Sequence, residues 1–508
     1  MLKILPEGAA LKKTYSKLKI VQNSPQKWYN GIAQKTTNTK QERLFCMNDY
    51  TKFAWVMKRE IFKFSKNICK GIGKPEEKLV INLLYGMAES GSCHLSKIAR
   101  ALKERILPKK VIERLSRGLR DFSTQEQQVL LDNYTQTVKK YTDKRTVFVV
   151  DGSDAVKPYS EKLEGLAMVR DGSTGKIEKG YFTLEVAALT SVTKTPLPVY
   201  DRVYSAGEAD FISEDDEVFK GLRYVSKTFG RDGVRALDRG YDALVYYEYF
   251  LRAQEYFIIR ATKNRRVCYK GETRNILEVA KLFKGKYRID FKDKKGKPIY
   301  YEPKGCNTPP LGAVSEFPLR PAGRYRALDT PRSCRGEVHC KTTIIPVALP
   351  KYPNIPLNLV VVYGFGKDPM MLLTNLRSDD SRLANTVAKV YLMRWRIEEY
   401  FRFKKQPYRF EDFRVRKLNA IRTLHRVLSL LTGLIGMLSE KCEESLFAMQ
   451  LIAVSKRIYR PKPEKAKCKF LHYAIADAFF AVLRRCSVGM QCFLAQIEPS
   501  SQLSFLVA

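Results

Sequence analysis

At 508 residues the chain is long enough for two or three domains, each with a core of its own. Its 44% apolar and 28% charged residues are those of a globular protein and exclude a disordered one. Lys and Arg total 91 against 53 acidic residues, and this net +38 points to an acidic partner, nucleic acid before an anionic membrane.

The first 144 residues read as helical, a possible DNA-binding module. Pro75-Glu76-Glu77 opens an apolar-periodic helix to about Glu89, with proline in its first turn. After a turn at Gly91-Ser92-Cys93-His94, Ser96 is a candidate cap for a short helix over 97–103. Pro108 starts another, over 109–119, whose Lys109, Lys110, Arg114, Arg117 and Arg120 suit either a DNA-reading helix or a solvated basic face. Ser123 and Glu126 have capping-box spacing for one more.

From Arg145 the period changes from 3.6 to 2. Strands are expected over 146–150, ending in Asp151, then over 181–190 and 197–204. A helix over 215–229 leads to a short strand, 234–237, ending in Asp238; a helix over 243–253 and a strand over 256–260 follow. Such alternation indicates an α/β domain around a central sheet. Residues 263–341 break it with 20 Lys and Arg against 8 Asp and Glu and many Gly and Pro, and read as a basic, β-rich insertion. Strands resume over 358–364 and 371–375. One long helix is expected from about Asp380 to the Gln406-Pro407 boundary, where proline ends or bends it. Helices around 416–441, a basic Pro-flanked segment at Arg460-Pro461-Lys462-Pro463 and a helical tail complete the chain.

The longest apolar stretch, 427–438, is too short to span a bilayer, and residues 1–13 lack the apolar run of a secretory signal. Eleven irregularly spaced cysteines argue against a disulfide framework and for a reducing compartment such as the cytoplasm. Cys334, His339 and Cys340 fall short of a zinc site. With four histidines in all, metal chemistry would rest on carboxylates and favour Mg²⁺ or Mn²⁺.

Within the long helix, Tyr391, Arg394, Glu398 and Lys405 stand at offsets of 0, 3, 7 and 14. At about 100° per residue they fall in an arc of about 60°. Alone, that stripe reads first as a solvated face held by an Arg394–Glu398 ion pair. Asp151 and Asp238, however, each end an apolar strand, and carboxylates at adjacent strand ends project from one sheet edge, where open α/β sheets place their sites. Asp154, in Asp151-Gly152-Ser153-Asp154, is a rival for Asp151.

The spacing Tyr391-x2-Arg394-x3-Glu398-x6-Lys405 resembles the Tyr-Arg-Glu-Lys signature of DDE transposases of the insertion-sequence-four type. Val149-Val150-Asp151-Gly152-Ser153-Asp154 resembles that family's first-aspartate segment, and Leu237-Asp238-Arg239-Gly240-Tyr241-Asp242 its second. Phe257-Ile258-Ile259-Arg260-Ala261 resembles the strand after the second and Leu372-Leu373-Thr374-Asn375-Leu376 the stretch before the signature helix, so that the likeness covers about residues 75–440. It implies an RNase H-like α/β catalytic domain (145–262 and 358–440) interrupted by a β-rich insertion (263–357). A helical N-terminal region (1–144) and a helical C-terminal region (441–508) would flank it.

The resemblance further implies that Asp151, Asp238 and Glu398 are catalytic and bind two Mg²⁺ or Mn²⁺ ions. Tyr391, Arg394 and Lys405 would bind DNA phosphates, and a homodimer would cut and rejoin paired terminal inverted repeats into target DNA. Ser153 stands where relatives often have Thr. None of Trp28, Trp55 and Trp395 lies in the insertion, where relatives use a tryptophan to trap a flipped base, so either Tyr300, Tyr301 or Phe317 substitutes or the hairpin step differs. A nuclease that cuts without joining and a domesticated, non-catalytic DNA-binding protein are the rival readings.

Overall fold

The structure, a computed structural model, describes residues 41–172, 174–289, 340–364, 368–377, 382–441, 444–459 and 471–497. Tyr300, Tyr301, Phe317, Cys334, His339, Trp28 and the segment 460–463 lie outside the described residues. The chain divides into compact units at 1–53 and 54–508.

Helices α1 (Gln41–Ile68), α2 (Lys74–Ser90), α3 (Leu95–Ala101), α4 (Pro108–Asp121) and α5 (Thr124–Val138) open the described chain. The α5 capping box is formed as its spacing requires, with Ser123 Oγ accepting from Glu126 N and Ser123 N donating to the Glu126 carboxylate. Ser96 does not cap α3. It lies inside the helix, after the N-cap His94, and its hydroxyl meets His94 Nδ1 at 2.8 Å. On α4, Lys110, Arg114 and Arg120 are paired with Glu113, Glu104 and Asp121, so much of its basic face is already neutralised.

Strands β1 (Val147–Val156), β2 (Ala167–Arg170), β3 (Ile177–Leu189) and β4 (Pro196–Tyr204) come next, then helix α6 (Glu214–Phe229) and strand β5 (Val234–Leu237). Helix α7 (Leu244–Ala253) precedes β6 (Tyr256–Arg260), β7 (Arg266–Tyr269) and β8 (Glu272–Asn275). Helix α8 (Ile276–Lys281) leads to β9 (Tyr287–Ile289), β10 (Cys340–Leu349), β11 (Tyr352–Tyr363) and β12 (Met370–Thr374). Helices α9 (Arg382–Leu392), α10 (Arg396–Lys405), α11 (Leu418–Glu440), α12 (Leu446–Tyr459), α13 (Leu471–Arg485) and α14 (Met490–Ile497) follow.

The fold is a mixed α/β one. All twelve strands join one sheet, ordered β2-β3-β1-β5-β6-β12-β11-β10-β7-β8, with β4 on β3 and β9 on β10. β1, β5 and β6 run parallel, as buried apolar strands linked through helices do, while β3 and β12 flank them antiparallel.

Two further expectations change. Strand β1 does not stop at Val150 but runs on to Val156, because β3 continues to pair with it through Val156↔Gly180 after β5 has ended. The long helix is broken by a 3₁₀ turn at Met393–Trp395, a tighter winding that rotates α10 relative to α9. Helix α9 packs on the β9–β12 side of the sheet, burying Val387, Ala388 and Tyr391 against Val360, Val362 and Leu372. Helix α10 covers β1, β3 and β5, with Ile397 and Tyr400 against Val147, Val149, Ala187 and Ala236. Helix α11 is long and apolar enough to cross a bilayer, yet 94% of its apolar window is buried within the fold, as for a core helix. In the C-terminal region, α13 packs against α2, α11 and α12.

Candidate active site

Asp151 and Asp238 meet because of strand register. The last parallel rung between β1 and β5 is Val150↔Leu237, so each aspartate is the next residue beyond it, side by side at the carboxyl edge of adjacent strands. Past this rung β5 turns into a 3₁₀ segment, Arg239–Tyr241, capped by Asp238 Oδ1, which accepts from Gly240 N at 2.7 Å. Asp151 Oδ1 accepts from Gly152 N at 3.0 Å.

The third carboxylate arrives on α10. Arg394, in the 3₁₀ turn, donates from Nη1 to Asp151 Oδ2 at 2.8 Å and from Nη2 to Glu398 Oε1 at 3.0 Å. One guanidinium thus ties the strand carboxylate to the helix carboxylate, with its side chain only 6% exposed. Burial pushes the Asp151 carboxyl up to about 7; Arg394 pulls against this, while Asp238 and Glu398 add to the rise. Burial by itself would lower the Arg394 pKa, but Asp151, Tyr391, Asp238 and Glu398 raise it above its ordinary value.

Tyr391 lies wholly inside the core, its hydroxyl without a well-formed hydrogen bond and the Arg394 guanidinium 5.9 Å from its ring centre. Lys405 pairs with Asp154 at 3.5 Å and with Glu411 at 3.0 Å. Asp154 also accepts from Gly172 N at 3.3 Å, which makes it the tie between β1 and the β2–β3 turn. The structure therefore joins Asp151, Arg394 and Glu398 by direct contact and sets Asp238 beside them. Lys405 stands at a neighbouring pair and Tyr391 behind.

Among the described residues no three His, Cys, Asp or Glu side chains stand close enough to enclose an ion, since Arg394 lies between two of the carboxylates. The donor chemistry nonetheless fits hard divalent cations: Asp151 and Glu398 share one guanidinium, Asp238 stands beside them, and all three offer carboxylate oxygen.

Sequence reasoning missed what lies behind this edge. Asp151, Glu185 and Asp201 stand directly opposite one another across β1, β3 and β4, a row of like charges that would repel if unmatched. Each has a cation from the covering helices: Arg394 for Asp151, Lys404 at 2.6 Å for Glu185, and Arg426 at 3.3 Å with His425 at 3.1 Å for Asp201. Lys404 also meets His425 Nε2 at 2.8 Å and Ser429 at 2.9 Å, and Tyr400 donates to Glu185 at 2.5 Å. Burial alone would raise Asp201, but Arg426 and His425 outweigh it and hold the carboxyl down at about 2. Tyr241 was missed too. Its hydroxyl stands over Gly152, and burial, Asp151 and Asp238 push its pKa well above the ordinary value.

Residues 220–431 match the family model described as a transposase DDE domain. That match supports a DNA transposase function. The matched segment takes in Asp238 and Glu398 and begins after Asp151. Among solved structures the chain is similar to a piggyBac transposase in a synaptic complex with hairpin DNA, at 11% identity and a TM-score of 0.43, over 90% of this chain and 82% of that one. No curated protein matches.

Proposed function

We propose that this transposase acts at transposon ends by cutting a phosphodiester with water and then joining the freed 3′-hydroxyl to target DNA, with Asp151, Asp238 and Glu398 as its acidic set. The observation that carries the reading is the meeting of two strand-end aspartates with a helix glutamate through one guanidinium. The order β4-β3-β1-β5-β6, with β3 antiparallel among otherwise parallel central strands, supports an RNase H-like core over 145–262 and 358–440. On this reading 263–357 is the insertion, and its described strands β7 to β10 extend the same sheet.

The three carboxylates would hold two Mg²⁺ or Mn²⁺ ions, which in phosphoryl transfer activate the attacking oxygen and stabilise the leaving one. The chain's own groups do the remaining work. Arg394 and Lys405 exchange their carboxylate partners for DNA phosphates and neutralise them, and the buried Tyr391 ring backs the Arg394 guanidinium. The insertion-sequence-four assignment, a homodimer on paired ends and a cytoplasmic, nucleoid-associated location belong to the same proposal.

The test is a labelled duplex cut from the DNA flanking the gene, incubated with Mg²⁺ and a target plasmid. Cleaved ends and strand-transfer products are expected, and Asp238→Ala should abolish both while still binding the duplex. Equal product from Asp238→Ala would sink the proposal; cleavage without joining would reduce it to a nuclease.

A further inference from the structure

Between β1 and the body of β3 the chain makes a hairpin, β2–β3, which lies at one edge of the sheet. Side chains alternate along a strand, so the odd-numbered residues of β3 share one face. Glu185 stands opposite Asp151, which puts Ile177 and Lys179 on the same face of the sheet as the Asp151 carboxylate. Met168 pairs with Lys179 and Arg170 with Ile177, so β2 adds Met168 and Arg170 to that face.

Near the carboxylates this face is covered. Tyr181, on the same face, packs on Phe413 with ring centres 6.3 Å apart. Beyond Tyr181 it is bare, with Met168 57% and Ile177 70% exposed. Arg170 and Lys179 are exposed as well, and neither forms an ion pair among the described residues. Helix α4 differs, because three of its cations are already matched by acids. Charges on an edge hairpin commonly guard it against pairing with other strands. That accounts for Arg170 and Lys179 but not for two large apolar side chains held out between them.

We propose that this hairpin face is a docking surface for duplex DNA whose reacting phosphate lies at Asp151. The inference rests on the transposase reading above. At about 3.3 Å per residue, Lys179 and Ile177 lie roughly 20–26 Å along β3 from the Asp151–Glu185 rung. With 3.4 Å per nucleotide on one strand, that is about six to eight base pairs from the cut. Arg170 and Lys179 take backbone phosphates there, and Met168 and Ile177 rest on sugar and base edges of the intervening groove. A second copy of the chain fits this face poorly, since a two-fold contact would bring the unmatched cations of both copies together.

The test uses the full chain and a fluorescent mixed-sequence duplex of about 40 base pairs, with anisotropy followed across a KCl series. Arg170→Ala with Lys179→Ala should flatten the log–log salt slope by about 2, close to 0.9 per phosphate lost. Met168→Ser with Ile177→Ser should weaken binding several-fold and leave the slope in place. All four substitutions are on the surface, and unchanged melting curves will show that the fold is retained. An unchanged slope and affinity in both double variants would overturn the proposal. So would a Met168→Ser/Ile177→Ser protein that loses self-association in light scattering while binding DNA normally. Plasmid nicking with Mg²⁺, run in parallel on the unsubstituted chain, separates the two claims: no nicking with the slope change present removes the enzymatic reading and leaves the surface.

Discussion

Replacing Lys404 with Met removes a cation that is 3% exposed and leaves its methylene volume largely filled. Glu185, 2% exposed, then keeps Tyr400 at 2.5 Å and His425 at 3.2 Å but no permanent positive partner. In the intact chain burial alone would raise the Glu185 pKa, and Lys404 with His425 brings it below the ordinary carboxylate range. Removing one member of a buried pair costs about 3–5 kcal/mol, most of it the charge left behind. For a chain of this size that corresponds to a melting temperature lower by roughly 3–5 °C. Lys404 lies six positions after Glu398 on helix α10, so the loss also loosens the register that brings Glu398 to Asp151. Scanning calorimetry on Lys404→Met, Glu185→Met and the double variant measures the coupling, and the double variant should recover at least half of the loss. Melting of Lys404→Met within about 1 °C of the intact chain, or strictly additive losses, would refute the reasoning.

Asp154→Asn should leave plasmid nicking within about threefold, because Asp154 serves Gly172 and Lys405; Asp151→Asn should lower it by about 10²-fold or more. Arg394→Gln should bind Mn²⁺ about tenfold more tightly, seen by electron paramagnetic resonance, since no guanidinium then competes for Asp151 and Glu398; weaker binding would count against that competition. Burial pushes the His472 imidazole down to about 3, below its unfolded value near 6.5, so the stability it contributes is complete above pH 6.5 and lost as pH falls towards 3. At pH 5 the loss is about 2 kcal/mol. His472→Gln should flatten the melting profile between pH 6.5 and 5, and an unchanged profile would reject the assignment.

The strands were legible where apolar residues ran unbroken: 234–237 and 256–260 appear as β5 and β6 with those bounds. The course of β1 past Val150 was not, because Asp-Gly-Ser-Asp carries turn chemistry that the distant strand β3 overrides by pairing with it. Nor was the break at Met393–Trp395, since the helical period continues through it in the sequence. The stripe of Tyr391, Arg394, Glu398 and Lys405 was readable, but not its direction: it faces the sheet, with Tyr391 buried outright. Least legible was the row Asp151, Glu185 and Asp201. Its cations lie 243, 219 and 225 positions away in the chain, and no local spacing announces such partners.

Those matched charges bear on how a cation-rich signature can sit in a core at all. A buried carboxylate row is tolerable only with equal positive charge, and two of its three partners, Lys404 and Arg426 with His425, are sealed under helices α10 and α11. Arg394 differs in standing at the carboxyl edge, where its two partners are 16% and 29% exposed. On the proposed reading it is the one cation of the row that can be traded. A DNA phosphate reaching Arg394 would take over its charge-assisted hydrogen bonds and release Asp151 and Glu398 together. Since neither carboxylate would then have a cation, their affinity for divalent ions would rise as DNA bound, and by linkage DNA affinity would rise with the ions. The fixed pairs behind keep α10 in register while this exchange takes place in front of it.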